Sequence, residues 1–506
     1  MYKPLISIED FKGGMTLSHK MGRKDQFGWG VGCDFSSYAG YLTSDIGFTN
    51  VLVHSAASAF ATTEITNMVH TIKDNNQYLF GENVKIYNIG ADSEMEVAGT
   101  STDPGVFRGA IEYKNYLYGS QYHTMMRKNL VSAVGAGFTY SWLTAMASAS
   151  YHKLITSSDN VMYIANSAVS ANCIGSWNGT TLDRDALTIA DNWEVQDMDN
   201  FGKSYIAAGL NYKTSTYSPS KCKIILWDRT VGSTWQDEIE IPEREIQAMK
   251  FVAGYLWVWA GKPNLNLYVI PEGSGIPTKM FSFIAENKSG GLIVYPSAIS
   301  VKDDFIYFGI SGTLEVDVIR GVCGRKDGIF YFPINPNSFK LGSVFSRALY
   351  ATDYKGVGML ANKLYISTEN STIRLYKQKT GATELQYGGT AGIVNSEYES
   401  LVYPAPPNKL MKIETIGIDL GAPLPANCSI SLYYRKNDDQ TNREVFLTLT
   451  TTGALNKIQK MGGFECSSLQ FVLNYNGGNT GTSYTSRPFI KRIYATGYLV
   501  NKPSPA

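Results

Sequence analysis

The chain has 506 residues, of which 44% are hydrophobic and 12% aromatic, and its 45 Lys and Arg residues nearly balance its 44 Asp and Glu residues. This length is too great for one hydrophobic core and predicts two or three domains, while the apolar content excludes global disorder. The near-neutral charge argues against a protein that binds nucleic acid over its whole surface. Abundant Gly and Tyr favour strands and turns over helices.

Residues 1–60 are predicted to form an N-terminal arm. They are rich in Gly, Ser and Asp, and the opening MYKPLISIEDFKGG lacks the apolar core of a signal peptide. We expect a short hairpin here and one or more strands that close the domain that follows. The basic run HKMGRK (19–24) could contact nucleic acid or an acidic partner, but we interpret it as solvated.

A short pattern recurs seven times between residues 61 and 395. Each copy has a turn residue followed by a large apolar residue and a final position that is aromatic in six copies. The copies are NQYLF (76–80), KNYLY (114–118), DNVMY (159–163), GKSYI (202–206), AGYLW (253–257), DDFIY (303–307) and ANKLY (361–365). Their final residues are Phe80, Tyr118, Tyr163, Ile206, Trp257, Tyr307 and Tyr365. Asx and Gly at the turns fit tight hairpins, whose residues adopt positive φ.

Units of this length with about four strands each are typical of β-propeller blades. We therefore predict an all-β chain with a propeller of about seven blades over residues 61–395. A run of β-meanders that only look alike remains the alternative. In the stretch AGYLWVWAGKP (253–263), Trp257 occupies the repeated slot, so we interpret its aromatic residues as packing between blades rather than as a platform for sugars.

The segment from Leu130 to Tyr151 has no charged residue over 22 positions, which is long enough to span a bilayer. Its many Ser and Thr residues favour a buried or oligomer-facing element inside the β-domain, with membrane contact as the alternative. Two acidic segments are also informative. We place Glu238 and Glu240 on the solvent face of an outer strand, and interpret DNWEVQDMDN (191–200) as a polar connection rather than a calcium site.

Residues 396–506 begin with a Pro-rich segment and continue with at least five short alternating stretches. This pattern predicts a jelly-roll-like β-sandwich. The charged segment YYRKNDDQTNRE (433–444) is interpreted as a solvated hairpin tip.

The chemistry-bearing residue types form no recognisable site. The six cysteines (Cys33, Cys173, Cys222, Cys323, Cys428 and Cys466) have no metal-ligand spacing and are predicted to be isolated buried thiols. All five histidines precede residue 153, and no phosphate-binding loop, GxSxG or HExxH pattern occurs. We therefore assign no catalytic, cofactor-binding or metal-binding residue, and the ligand-binding residues stay undetermined.

Four stretches carry a resemblance to a known class of protein. They are FKGGMTLSHKM (11–21), CDFSSYAGYLTSD (33–45), ESLVYPAPPNKLMKIETIGIDL (399–420) and PFIKRIYATGYLV (488–500). With the propeller between them, this layout resembles structural proteins of tailed-bacteriophage tails, such as nozzle-like and hub-like ring components. The resemblance implies a protein made in the host cytoplasm and located in the virion tail. It also implies a homo-oligomeric ring that docks other tail proteins and transiently contacts DNA passing through the tail.

The sequence leaves three functions open. The favoured hypothesis is a non-enzymatic structural component of the tail, supported by the three-part layout. The alternative is a carbohydrate-binding or receptor-binding tail protein that recognises a host-surface glycan through exposed Trp177, Trp193 or Trp235. A propeller enzyme such as a glycosidase is the third hypothesis, and the sequence offers no convincing acid and base for it.

Overall fold

The structure is a computed structural model that describes residues 4–11, 13–14, 26–31, 33–34, 41–44, 48–50, 65–81, 85–89, 95–100, 107–131, 138–147, 150–169, 172–213, 219–283, 291–312, 328–343, 353–370, 372–378, 395–439, 443–476, 478–479 and 484–503. In these ranges the regular structure is β-strand, apart from a 3₁₀ helix at Pro336–Ser338. The basic run 19–24 and Cys323 lie outside the described residues.

The arm contributes five strands. They are β1 (Ile6–Ile8), β2 (Trp29–Val31), β3 (Cys33–Asp34), β4 (Thr43–Ser44) and β5 (Phe48–Asn50).

The middle of the chain contributes the next twenty-eight strands of the described residues. The first twelve are β6 (Ile65–His70), β7 (Gln77–Gly81), β8 (Lys85–Ile89), β9 (Met95–Thr100), β10 (Gly109–Tyr113), β11 (Tyr116–Ser120), β12 (Met125–Asn129), β13 (Thr139–Leu143), β14 (Leu154–Thr156), β15 (Met162–Ala165), β16 (Cys173–Trp177) and β17 (Leu182–Thr188). The next eight are β18 (Trp193–Phe201), β19 (Tyr205–Tyr212), β20 (Lys221–Trp227), β21 (Asp237–Ile241), β22 (Ile246–Val252), β23 (Tyr255–Ala260), β24 (Leu265–Pro271) and β25 (Thr278–Phe283). The last eight are β26 (Leu292–Ile293), β27 (Ile299–Lys302), β28 (Phe305–Gly312), β29 (Gly328–Pro333), β30 (Gly342–Ser343), β31 (Asp353–Leu360), β32 (Lys363–Asn370) and β33 (Thr372–Gln378).

The C-terminal part contributes the remaining strands. They are β34 (Asn395–Glu399), β35 (Tyr403–Pro404), β36 (Lys409–Leu420), β37 (Ser429–Lys436), β38 (Glu444–Leu449), β39 (Asn456–Cys466), β40 (Ser468–Asn476), β41 (Gly478–Asn479), β42 (Tyr484–Ser486) and β43 (Ile490–Asn501).

Strands β6 to β33 form seven successive antiparallel sheets in the described part of the chain, which we call blades 1 to 7. Blades 1 to 5 are each four consecutive strands, and blade 6 combines β26 to β30. Blade 7 consists of β31, β32 and β33, and its fourth strand is β5 from the arm, where Asn50 faces Tyr376. The innermost strand of each blade contacts the next blade, and β31 of blade 7 contacts β6 of blade 1. This closed order is that of a β-propeller, so the prediction of an all-β chain with a propeller is confirmed.

The repeated sequence pattern marks the same place in every blade, the turn between the first and second strands. Each of these turns contains at least one residue with positive φ: Asn75, Lys114, Asn160, Gly202, Ala253, Gly254, Asp303, Ala361 and Asn362. The slot aromatics that follow are buried against the next blade in five cases, and Tyr307 is half-buried. Burial at the boundary between blades explains why the slot demands a large side chain.

In the fourth copy of the pattern, the predicted slot residue, Ile206, is wrong by one position. In the other copies the slot residue faces the following blade. In blade 4 the residue that does so is Ala207, which faces blade 5, whereas Ile206 faces blade 3. The cause is turn length. Three residues separate the paired Phe201 and Tyr205, whereas two separate Val252 and Tyr255 in blade 5.

The C-terminal strands build two sheets that share a core. One has the order β1-β43-β36-β39, and the other has the order β2-β34-β40-β37-β38 with β35 beside β40. Their facing side chains meet in one apolar cluster, in which the rings of Tyr434 and Phe464 stack at 5.0 Å. The arm strands β1 and β2 occupy one edge of each sheet, so the arm belongs to the sandwich as well as to the propeller.

Candidate functional site

The aromatic stretch 253–263 lies in the core, as the sequence predicted. Trp257 and Trp259 on β23 are fully buried. The Trp257 ring lies 4.5 Å from Phe332 and the Trp259 ring lies 5.3 Å from Phe308, both in blade 6. These rings hold blades 5 and 6 together and are not accessible to a sugar.

The three tryptophans proposed as exposed sugar contacts are half-buried and engaged within the propeller, so the expectation that they are exposed is wrong. The Trp177 indole N–H donates to the Tyr118 hydroxyl at 3.0 Å. The Lys223 ammonium group lies 4.8 Å from the Trp193 ring centre and 5.1 Å from the Trp235 ring centre. A lysine at these distances makes cation–π contacts with both rings.

In the acidic run 238–245, Glu238 and Glu240 face solvent as the sequence predicted. Glu238 and Glu240 are exposed on β21, the outer strand of blade 4. Glu243 serves structure, because its Oε1 atom accepts hydrogen bonds from Asn266 and the Tyr268 hydroxyl, both at 2.7 Å.

The acidic segment 191–200 is not a polar connection, and that prediction is wrong. Its residues 193–200 belong to β18, the innermost strand of blade 4. Asp197 accepts a hydrogen bond from the Met249 amide at 2.7 Å, and Asp199 accepts one from the Phe251 amide at 2.9 Å. Alternate acids on β18 therefore bind alternate amides on β22 and join blades 4 and 5. The Lys250 ammonium group pairs with Asp199 at 2.9 Å, and this carboxylate raises the pKa of Lys250.

Charged side chains from several blades meet where the innermost strands face one another. Lys153 of blade 3 lies 3.4 Å from Asp197 of blade 4, and it also donates to the Pro296 carbonyl oxygen of blade 6 at 3.4 Å. The Arg108 guanidinium lies 5.1 Å from the Tyr151 ring centre. Burial raises the pKa of Asp197, against the opposing effects of Lys153 and the Met249 amide. The contacts of Lys153 connect blades 3, 4 and 6 across the centre of the ring. The Asp197 carboxylate is therefore engaged in structural contacts.

Among the described histidines, the most enclosed one is also structural. His152 is fully buried, and its Nδ1 and Nε2 atoms lie 3.1 Å from the Ala165 carbonyl oxygen and 3.2 Å from that of Tyr122. Burial lowers its pKa. Because both ring nitrogens face backbone carbonyls, His152 has no free nitrogen to act as a general base.

The five described cysteines are buried and form no disulfide, which confirms the prediction of isolated thiols for them. Burial raises the pKa of Cys222 to about 12 and that of Cys466 to about 11, so these thiols stay protonated and unreactive. Across the described ranges, no group of three or more His, Cys, Asp or Glu side chains could hold a metal ion.

The uncharged segment 130–151 contributes β13, the outer strand of blade 2, whose Leu143 is buried. In the part of the chain that the structure describes, no helix has the length and apolar character to cross a membrane.

The charged segment 433–444 is not wholly solvated as expected. Arg435 is buried on β37, and its Nη2 atom lies 3.1 Å from Glu399 on β34, which is buried too. Its partner is 36 positions away in sequence and two strands away in the same sheet, with β40 between them, so local charge patterns give no signal for this pair.

Two surface features of the sandwich were missed by sequence reasoning. The first is an open side made by β38 and β39, the edge strands of the two sheets, which contact each other. Val445 on β38 and Ile458 on β39 are 67% and 57% exposed there. Their only sequence signal is an apolar residue at a position where the alternation calls for a polar one.

The second feature is a cleft of about 740 Å³ at one end of the sheet formed by β1, β43, β36 and β39. Its lining includes Glu9, Asp419, Asn456 and Arg492, with Tyr41 and Leu455 beside them. These residues come from five separate parts of the chain, so spacing along the sequence gives no signal for them.

Comparisons with known proteins add no function. No protein-family model matches the chain, and no curated protein does. Among solved structures, the WD40 β-propeller domain of Doa1 has a TM-score of 0.43 at 11% identity, covering 66% of this chain and 98% of its own. The β-propeller domain of Cps50 (Swd1) from Myceliophteria thermophila has a TM-score of 0.43 at 9% identity, covering 63% of this chain and 96% of its own. The computationally designed Ika8 protein has a TM-score of 0.39 at 12% identity, covering 65% and 99%. These similarities do not assign an activity or a partner to this chain.

Proposed function

We propose that the protein is a non-enzymatic structural component of a bacteriophage virion tail. It assembles into a homo-oligomeric ring, docks neighbouring tail proteins and transiently contacts DNA that passes through the tail. The proposal includes synthesis in the host cytoplasm and residence in the virion. Its sequence support is the resemblance of the three-part layout to tail ring components.

The proposal also includes the finer architecture, a propeller of seven blades followed by a jelly-roll-like sandwich. Seven sheets in the described residues support the blade count. The chain crosses between the two sandwich sheets at each of the connections β36 to β37, β38 to β39, β39 to β40 and β40 to β43. Repeated crossing of this kind supports a Greek-key arrangement, of which the jelly roll is one form.

The observation that carries the structural role is the open side of the sandwich. Strands β1 and β2 pair with one edge of each sheet, whereas β38 and β39 have no further partner strand within the described residues. Unpaired edges present rows of free N–H and C=O groups to another chain. Exposed Val445 and Ile458 add apolar surface at this side.

The same side has features that restrict pairing to a specific partner. Gly462 and Gly463 both have positive φ and interrupt the pairing of β39 with β36. The same strand carries two lysines, Lys457 and Lys460. Bulges and lysines of this kind block indiscriminate edge pairing. A ring requires a head-to-tail contact, in which the open side of one copy meets a different surface of the next copy, and such contacts close into rings when the rotation permits.

The test is the oligomeric state of the purified chain, measured by mass photometry and negative-stain imaging. We expect rings for the unchanged protein and an association at least tenfold weaker for Ile458→Lys. The matched control is Ile276→Lys, because Ile276 is a 69% exposed isoleucine on the propeller, away from the sandwich edge. A strict monomer that never enters phage particles would overturn the proposal, and so would equal loss of assembly in both variants.

A second candidate, a carbohydrate-binding or receptor-binding tail protein, is favoured by one observation, the cleft of the sandwich.

A further inference from the structure

We propose that the cleft at the end of the β1-β43-β36-β39 sheet binds a neutral saccharide through Glu9, Asp419, Asn456 and Arg492. Its volume of about 740 Å³ lies in the range of small-molecule sites. Asn456 lies on β39, which also belongs to the open side, but the cleft uses the outward face at the end of the sheet, so sugar binding and ring assembly are measured separately.

The four polar residues form a single row across the sheet. Asp419 on β36 lies opposite Arg492 on β43 and opposite Asn456 on β39. Glu9 follows β1, whose Ile8 faces Ile493, and this register places Glu9 beside Arg492. Neighbouring strands lie about 4.8 Å apart, so the row presents acceptor, donor, acceptor and amide at regular intervals. A ligand with several hydroxyl groups matches such a row, because each hydroxyl both donates and accepts.

Arg492 is held in place with part of its hydrogen-bonding capacity unused. Its guanidinium lies 4.4 Å from the Tyr494 ring centre. The Tyr494 ring in turn lies against Gly417, where a Cβ atom would come within 2.5 Å of it, so residue 417 must be glycine for this stack.

The ion pairs of Arg492 are long. Its Nε atom is 3.4 Å from Glu9, and its Nη1 atom is 4.0 Å from Asp419. In the described structure the Nε atom is shielded from solvent and has no hydrogen-bond partner. A ligand hydroxyl that accepts from the accessible part of the guanidinium, whose side chain is 30% exposed, would add a hydrogen bond that these two long contacts do not make.

The charge of the lining selects the class of ligand. Glu9 and Asp419 repel an anion, while Arg492 and the adjacent Lys491 repel a cation. A purely apolar ligand would leave these polar groups without partners. Tyr41 and Leu455 supply apolar surface at the end of the row for the C–H face of a sugar ring. A neutral saccharide meets all of these conditions.

The test is ligand-observed NMR and calorimetry on the full chain with glucose, galactose, N-acetylglucosamine, maltose, lactose and chitobiose. Sialyllactose serves as the anionic comparison. We expect saturable, millimolar or tighter binding of at least one neutral sugar, in preference to sialyllactose. Asn456→Ala and Asp419→Asn should each weaken this binding about tenfold, the effect of losing one to two hydrogen bonds to the ligand.

The matched control is Lys460→Ala, since Lys460 is exposed on the same strand and lies opposite Thr415, four residue pairs from the site. Asn456 is exposed, so its replacement leaves the fold intact and remains decisive even where Asp419→Asn perturbs it. No saturable binding to any neutral sugar, or binding that is equally strong in Asn456→Ala, would overturn the inference. Loss of ring assembly with sugar binding retained would contradict only the proposed tail role.

Discussion

Trp257 shows at the scale of one residue how the propeller is held together. Its indole is fully buried at the boundary between blades 5 and 6, within 4.5 Å of Phe332 and 6.1 Å of Phe339. A large ring at this slot fills the space between two twisted sheets, which a small side chain cannot do.

We expect Trp257→Ala to lower the free energy of unfolding by about 3–5 kcal/mol, because it removes buried apolar surface and leaves a cavity. Chemical denaturation followed by circular dichroism measures the change. The control is Trp235→Ala, a half-buried ring at the rim of blade 4, for which we expect a clearly smaller loss. An unchanged melting temperature together with loss of ligand binding would mean that Trp257 belongs to a binding site after all.

The slot was predictable from sequence because its cause is local. A tight turn needs a residue with positive φ, and the second strand that follows needs a large buried side chain, so the two signals recur together. The fourth copy shows the limit of this inference. The pattern counts residues from the turn, and the three-residue turn between Phe201 and Tyr205 shifts the count by one, so that Ala207 was missed.

At the scale of the strand, every boundary between blades carries a polar side chain that binds the backbone of the next blade. The side chains are Thr66, Ser120, Asn166, Asn211, Gln247, Ser311 and Ser367. Five of them lie in or next to the second strand of their blade, and Thr66 and Gln247 lie on the first. These bonds satisfy buried backbone groups that no sheet ladder reaches.

Asn211 gives the sharpest test of these contacts. Its side-chain oxygen accepts from the Ile246 amide at 2.7 Å, and its Nδ2 atom donates to the Ile246 carbonyl oxygen at 2.8 Å. Asn211→Ala leaves two buried backbone groups without partners, so we expect unfolding to become about 2–4 kcal/mol easier in urea titrations. Asn456→Ala, at an exposed asparagine, should change the free energy of unfolding by less than about 0.5 kcal/mol. Equal effects in the two variants would rule out a bracing role for Asn211.

The acids of β18 were misassigned because their partners are distant in sequence. Asp197 and Asp199 interrupt the apolar pattern that identifies an inner strand, and their compensating partners, the amides of Met249 and Phe251, are about fifty residues away. The cleft and the open side of the sandwich are missed for the same reason, since strand pairing alone brings their residues together. Alternation of apolar and polar residues can predict a strand. It cannot predict which charged side chains find hydrogen-bond partners on a strand that is distant in sequence.

At the scale of the whole molecule, the arm joins the propeller to the sandwich. Strand β5 completes blade 7, while β1 and β2 complete the two sandwich sheets. Phe11 and Phe27 pack on Tyr398 at 5.5 and 5.4 Å, and Gly14 lies against the backbone of Leu341 in the propeller. One apolar cluster accordingly runs from blades 5 to 7 into the sandwich.

A continuous core predicts that the propeller and the sandwich unfold together, although chains of this size often unfold in stages. Hydrogen exchange measured by mass spectrometry at increasing denaturant resolves the two parts. We expect amides of β23 in the propeller and β40 in the sandwich to lose protection at the same denaturant concentration, as members of one cooperative unit do. Phe11→Ala, which removes an arm ring from the shared core, should lower that concentration for both strands. If β40 lost protection in Phe11→Ala while β23 kept it, the two parts would be separate folding units joined only by contact.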